Sequence, residues 1–176
     1  MRKNKKRNHQ KHPVPNHKYK DRLFRLVFNN KRDLLDLYNA LNNTCYENPN
    51  DLEVNTLEDA VYLSMKNDIS FLIGGTLNLY EHQSTYNPNM PLRGLIYLAR
   101  LYDGYVETEN INLYSSTLKK LPIPQYFVFY NGTKAQPDET ILRLTDAFES
   151  VSDNRQPCLQ CTAVMLNINY GHNLAL

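Results

Sequence analysis

Asp68 and the pair Glu81-x-Gln83 are the residues whose types and spacing bear most directly on chemistry. Asp68 opens a run rich in β-formers that ends at Ile73, Gly74-Gly75 follows, and Thr76 to Ser84 alternates apolar and polar residues. Two strand-like runs around Gly-Gly predict a hairpin. With Gly74 and Gly75 as the two turn residues, Ile73 faces Thr76, Asp68 faces Glu81, and Lys66 faces Gln83 if the ladder extends that far. Residues two apart share a sheet face. Lys66, Asp68, Glu81 and Gln83 are therefore expected together on one face, at the end of the hairpin away from its turn.

Two carboxylates placed opposite one another repel. A divalent cation between them removes that cost, and hard oxygen ligands with open water positions suit Mg²⁺, with Mn²⁺ as its substitute. Such an ion polarises a phosphodiester and lowers the pKa of a bound water. A Lys or Gln beside it positions that water or bonds a phosphate oxygen. The competing interpretation is plainer: Asp68 ends a strand, and Glu81 and Gln83 form the solvent side of an alternating one.

The elements that would position these residues follow from patterning. Leu23, Phe24, Val27 and Phe28 share one helical face, and Leu34, Leu35, Leu37, Tyr38 and Leu41 share another, with a break near Asn29 to Arg32 and a stop at Asn42-Asn43. A strand is expected around Ala60 to Met65, ahead of the hairpin. After the polar loop Tyr86 to Pro91, a helix is expected to bury Leu92, Leu95, Ile96, Ala99, Tyr102 and Val106, while Arg93, Tyr97 and Arg100 form a separate stripe. Residues 107 to 124 look like a loop. Gln125 to Tyr130 reads as a buried strand, Asp138 to Phe148 as a helix, and Cys161 to Ile168 as a last strand. This order predicts an α/β fold with a mixed sheet.

Composition narrows the function. The chain has 176 residues, 41% hydrophobic and 22% charged, which is enough for one globular core. No apolar stretch is long enough for a membrane span or a signal peptide, and three cysteines are too few for a disulfide framework. A cytoplasmic protein without a membrane partner is the expectation. The net charge of +2 hides an asymmetry: residues 1 to 25 carry ten Lys or Arg against the single acid Asp21, and the remainder carries ten against seventeen. Residues 1 to 18 are read as a disordered basic arm and residues 19 to 176 as the folded domain. Basic arms commonly meet nucleic acid, although a solubilising leader has the same composition. Cys158-x-x-Cys161 has the spacing of half a zinc site or of a redox pair. Only Cys45 and His172 stand by as further ligands, so the cysteines read as ordinary thiols.

The short pattern Asp68, Glu81-x-Gln83 resembles the PD-(D/E)XK nuclease superfamily. The longer phrases YKDRLFRLVF, MKNDISFLIGGTLNLYEHQSTYNPNMPLRGLIYLARLY, LPIPQYFVFYNGT and MLNINYGHN resemble one branch of it, the recombination-promoting nucleases or PD-(D/E)XK nuclease family transposases, over Tyr19 to Asn173. The resemblance implies a restriction-endonuclease-like core of helix, three strands, helix and strand, here with an added C-terminal helix and strand. It implies Mg²⁺-dependent endonuclease activity on DNA, linked to recombination or mobile elements.

By the same resemblance, Asp68 and Glu81 are metal ligands, and Gln83 stands where the superfamily usually has Lys. Gln carries no charge but orients a water or bonds a phosphate oxygen, and Lys66 is a candidate source of the missing charge. Asp21 matches the extra acid that superfamily members often take from the first helix, or is simply a favourable acid in a first helical turn. Arg93 and Arg100 lie on the helix that commonly flanks the substrate cleft, where Arg suits phosphate. A homodimer is one arrangement the family allows. Relatives continue past the NINYGHN phrase, so a chain truncated at its C-terminus is also an expectation. A nuclease fold that only binds DNA or protein, and a partner-dependent transposition component, are the rival functions.

Overall fold

The computed structural model describes Phe24, Phe28, residues 30–55, 68–149, 156–174 and Leu176. The expected arm over residues 1–18, Asp21, the strand near Ala60 to Met65 and Lys66 lie outside the described residues. Among the described residues the fold is α/β, with two helices and one open, mixed six-stranded sheet.

Helix α1 spans Lys31–Asn42. Asn30 caps it, its side-chain oxygen accepting from the Arg32 amide at 2.9 Å, and Asn43 ends it in the left-handed region at φ 52°. The start and the stop of α1 fall where the asparagines predict them. Leu34, Leu35, Leu37 and Tyr38 are buried, and with Phe24 they cover one face of the sheet through Ile69, Phe71, Ile73, Tyr80 and Phe129.

The strands are β1 (Glu53–Val54), β2 (Ile69–Ile73), β3 (Thr76–Gln83), β4 (Ile123–Tyr130), β5 (Glu139–Arg143) and β6 (Thr162–Asn167), in spatial order β1-β2-β3-β4-β6-β5. The β3–β4 and β4–β6 pairs are parallel, and the other pairs are antiparallel. The β2–β3 hairpin has the register read from its turn: Ile73 pairs with Thr76 and Ile69 with Tyr80. Gly74 and Gly75 have φ of 55° and 78°, positive at both central positions as a two-residue hairpin of native twist demands.

Helix α2, Met90–Thr108, covers the other face, with Pro91 in its first turn as expected. Its orientation differs from expectation. Met90, Pro91, Gly94, Tyr97, Leu98 and Leu101 are buried, whereas Leu92 is 47% exposed and Ala99 is also exposed. The cause is Gly94, which lets the helix backbone lie against the Tyr126 ring; a Cβ there would fall 2.2 Å from the ring Cε1. Close approach of backbone to ring outweighs the count of aliphatic residues on the other stripe.

A helix over Asp138 to Phe148 is not found. That segment is β5 followed by a short 3-10 turn, Leu144–Ala147. Five residues of β5 pair with β6, so the edge of β6 that a helix would have left open is satisfied, and the β-branched Thr140 and Ile141 suit the strand. The added C-terminal helix and strand are thus a strand pair.

Candidate functional site

The β2–β3 ladder ends at the Ile69–Tyr80 pair, and just beyond it Asp68 and Glu81 meet on the α2 side of the sheet, the side of Leu77 and Leu79. The contacts are direct. The Asp68 amide donates to Glu81 Oε1 at 3.0 Å, and the His82 amide donates to Asp68 Oδ2 at 2.8 Å. Each carboxylate therefore accepts a backbone N–H from the opposite strand, which fixes the pair at the strand ends. Glu81 is only 1% exposed, so the alternative in which it forms the solvent side of its strand does not hold. Gln83 shares the Glu81 face by alternation and is half-buried at the end of β3.

Position 82 confirms the alternation. His82 lies on the opposite face, its ring stacked on Phe24 at 5.4 Å between centroids. Its ring packs against the aromatic side of the core.

Arg93 enters the site from α2. Its Nη2 donates to Glu81 Oε2 at 3.0 Å and to the Tyr97 hydroxyl at 3.2 Å, and its Nη1 lies 3.5 Å from Met90 Sδ. The guanidinium also sits 5.7 Å from the Tyr97 ring centroid. Burial works against its charge, but the Tyr97 hydrogen bond and the negative Glu81 outweigh it and hold its pKa above the ordinary arginine value. A buried carboxylate needs such a partner, and the sequence stripe of Arg93 and Tyr97 turns out to supply it. Arg100 belongs elsewhere. Two turns along α2, it lines a groove with Glu53, Asn55 and Leu72, toward the turn end of the hairpin.

Tyr126 is the residue that sequence reasoning missed. It neighbours Leu79 across the parallel β3–β4 pair, and its buried hydroxyl has no hydrogen-bond partner among the described residues. Burial, reinforced by the charge of Glu81, pushes its phenol well above the ordinary tyrosine range, against an opposing pull from Arg93. The only sequence signal was the β-alternation of Gln125 to Tyr130, which puts Tyr126, Val128 and Tyr130 on the α2 side.

The donors suit a hard divalent cation in kind, because Asp68 and Glu81 bring carboxylate oxygens to one place. Among the described residues no group of three or more His, Cys, Asp or Glu side chains is arranged to hold a metal, so water or phosphate would fill the remaining positions. Oxygen Oε2 of Glu81 accepts from Arg93, so a cation there would meet the guanidinium at close range. A cavity of about 350 Å³ lies on the other side of the sheet, among Phe24, Phe28, Leu37 and Phe129, and is no part of this cluster.

The phrase Met165 to Asn173 serves the fold. Asn167 donates from Nδ2 to the Gln136 carbonyl at 2.7 Å, and Asn169 donates to the Gly132 carbonyl at 3.1 Å. Asn173 donates to the carbonyls of Asp138 and Asn167 at 2.8 and 2.9 Å, and His172 pairs with Asp138. Cys45, Cys158 and Cys161 are free thiols. No helix among the described residues is long and apolar enough to cross a membrane. No family model, curated protein or solved structure matches the chain.

Proposed function

We propose that the chain is a metal-dependent endodeoxyribonuclease of the PD-(D/E)XK kind, hydrolysing DNA phosphodiester bonds in the cytoplasm in a recombination or mobile-element setting. The observation that carries this reading is the opposition of Asp68 and Glu81 across the β2–β3 pair, each held by a backbone amide of the other strand. The described order supports it: helix α1, strands β1 to β3, helix α2, then β4 parallel to β3. That order agrees with the one the resemblance implies for a restriction-endonuclease-like core.

In this reading Asp68 and Glu81 hold Mg²⁺ or Mn²⁺. The ion, when bound, supplies Lewis-acid polarisation of the phosphodiester and a water of lowered pKa. Gln83, two residues along the same face, orients the water or donates its amide N–H to a phosphate oxygen. The basic N-terminal arm supplies affinity for DNA that does not depend on sequence. A homodimer would present two such sites to the two strands.

The test is cleavage of supercoiled plasmid by purified protein in Mg²⁺ or Mn²⁺. Nicked or linear product is expected from the parent protein, and none from Asp68→Ala or Glu81→Ala. Cleavage that survives both substitutions would remove these residues from the chemistry.

The Arg93–Glu81 ion pair favours a second reading, in which the fold has lost catalysis and binds DNA or a protein, or works only with a partner in transposition. DNA binding with no cleavage in any metal would select the binding module. Joined DNA molecules, formed only when a partner is added, would select the transposition component.

A further inference from the structure

We propose that Arg93 is a built-in counter-ion that competes with the divalent cation for Glu81 and passes to a phosphate of bound DNA, so that cation uptake and DNA binding are coupled through this one side chain. The inference rests on the nuclease reading of the Asp68–Glu81 pair.

Three observations carry it. First, Glu81 is buried and its two oxygens are both engaged, Oε1 by the Asp68 amide and Oε2 by Arg93. An uncompensated carboxylate there is strongly unfavourable, so a positive partner stabilises Glu81. Second, a cation on Glu81 and the guanidinium are like charges contending for the same oxygen, and such charges repel at short range in a poorly hydrated site. Third, Arg93 is only partly buried and Glu81 is its one charged partner among the described residues. Its side chain is 30% exposed, and its other contacts are a neutral hydroxyl on Tyr97 and the weak acceptor Met90 Sδ. A guanidinium released toward solvent beside a DNA backbone has a better acceptor in phosphate, whose oxygens match its paired N–H groups.

Exchange of Arg93 from Glu81 to phosphate removes the competing guanidinium from Oε2 as DNA arrives. The cation is then drawn to the site when substrate is present, and Arg93 protects the fold when it is not. By linkage, the cation strengthens DNA binding by the same factor as DNA strengthens cation binding.

The experiment is calorimetric titration of Ca²⁺ into the full chain, with and without a short DNA duplex, for the parent protein, Arg93→Met, Arg93→Lys and Asp68→Ala. Circular dichroism and thermal midpoints check folding. Without DNA, Arg93→Met is expected to bind Ca²⁺ at least about fivefold more tightly than the parent, the lower end of ordinary coupling. Arg93→Lys, which keeps the charge but loses the fork, should fall between them. DNA should tighten Ca²⁺ binding in the parent and do so several-fold less in Arg93→Met. The thermal midpoint of Arg93→Met should fall in EDTA and recover more in Ca²⁺ than the parent gains.

Equal Ca²⁺ affinity in the parent and Arg93→Met, or equal tightening by DNA in both, overturns the role of Arg93 and leaves the metal site standing. If Arg93→Met fails to fold, an absence of coupling between DNA and Ca²⁺ in the parent, or Arg93→Lys binding no differently from the parent, overturns it equally. Ca²⁺ binding by none of the proteins, or the same binding by Asp68→Ala as by the parent, defeats the nuclease reading itself.

Discussion

Gly94 and Tyr126 meet with no room for a methyl group between them: a Cβ on Gly94 would lie 2.2 Å from Cε1 and 2.5 Å from Cδ1 of the ring. This contact seats α2 on the sheet and brings Arg93, one residue earlier, over Glu81. Gly94→Ala should therefore destabilise the protein by about 1–3 kcal/mol through overpacking, although Ala favours a helix over Gly by about 1 kcal/mol. Urea unfolding measures the change. Most of the penalty should disappear when Gly94→Ala is combined with Tyr126→Ala, which a double-mutant cycle reads directly. A more stable Gly94→Ala protein would mean that the helix sits further from the sheet.

Alkaline pH offers a second test. Burial raises the phenol pKa of Tyr80 and of Tyr126 above the ordinary value of 10.0. A raised folded-state pKa means that the native protein keeps protons which the unfolded chain releases. The stabilisation is complete below pH 10 and is lost as pH rises through the folded values, at up to about 1.4 kcal/mol per pH unit for each group. Unfolding free energies between pH 8 and 11 should be flat at first and then fall. Tyr80→Phe and Tyr126→Phe should each make the fall shallower. Neither hydroxyl has a hydrogen-bond partner among the described residues, so neither substitution should cost stability at pH 7.

Salt dependence tests the nucleic-acid side of the proposal. Residues 1 to 18 include seven Lys or Arg, and if about five of them neutralise phosphates the affinity for DNA should drop steeply between about 50 and 200 mM salt. Removing residues 1 to 18 should flatten the plot of log affinity against log salt. An unchanged slope would place the phosphate contacts elsewhere.

The asparagine lock after β6 makes a stability prediction that is separate from chemistry. Buried Asn167 donates to the Gln136 carbonyl, and its Oδ1 accepts from the Asn169 amide at 3.1 Å. Asn167→Leu strands both partners and should cost about 2–3 kcal/mol. Its thermal midpoint should fall while the Arg93–Glu81 pair, on another part of the sheet, keeps its effect on stability in a double-mutant cycle.

The hairpin was legible because its signals are local: two glycines fix the turn, and the turn fixes which residues oppose across the ladder, down to Ile69 and Tyr80, with Asp68 and Glu81 just beyond. The caps of α1 were legible for the same reason. The buried face of α2 was not, because it depends on a ring from a strand nearly thirty residues later, and Gly94 has no side chain to announce it. Arg93 read as a phosphate contact because its partner Glu81 is brought to it only by packing α2 on the sheet. Strand β5 reads as a helix from its local pattern, because Ile141, Leu144 and Phe148 stand three and four residues apart. Its strand conformation comes from β6, which follows it in the chain and offers an edge for Thr140 and Ile141 to join.

The placement of β6 has a consequence for how the protein is made. It lies between β4 and β5, which both precede it in sequence, and it alone joins them. Until Thr162–Asn167 emerges from the ribosome, Phe127–Tyr130 lacks its second neighbour and β5 has no strand to pair with. A nascent chain at that stage carries an open aromatic edge, the kind of surface that recruits chaperones or foreign strands. Sheet closure thus waits for β6, and slow translation between Asp138 and Cys161 would lengthen the interval in which the β4 edge is exposed to misassociation.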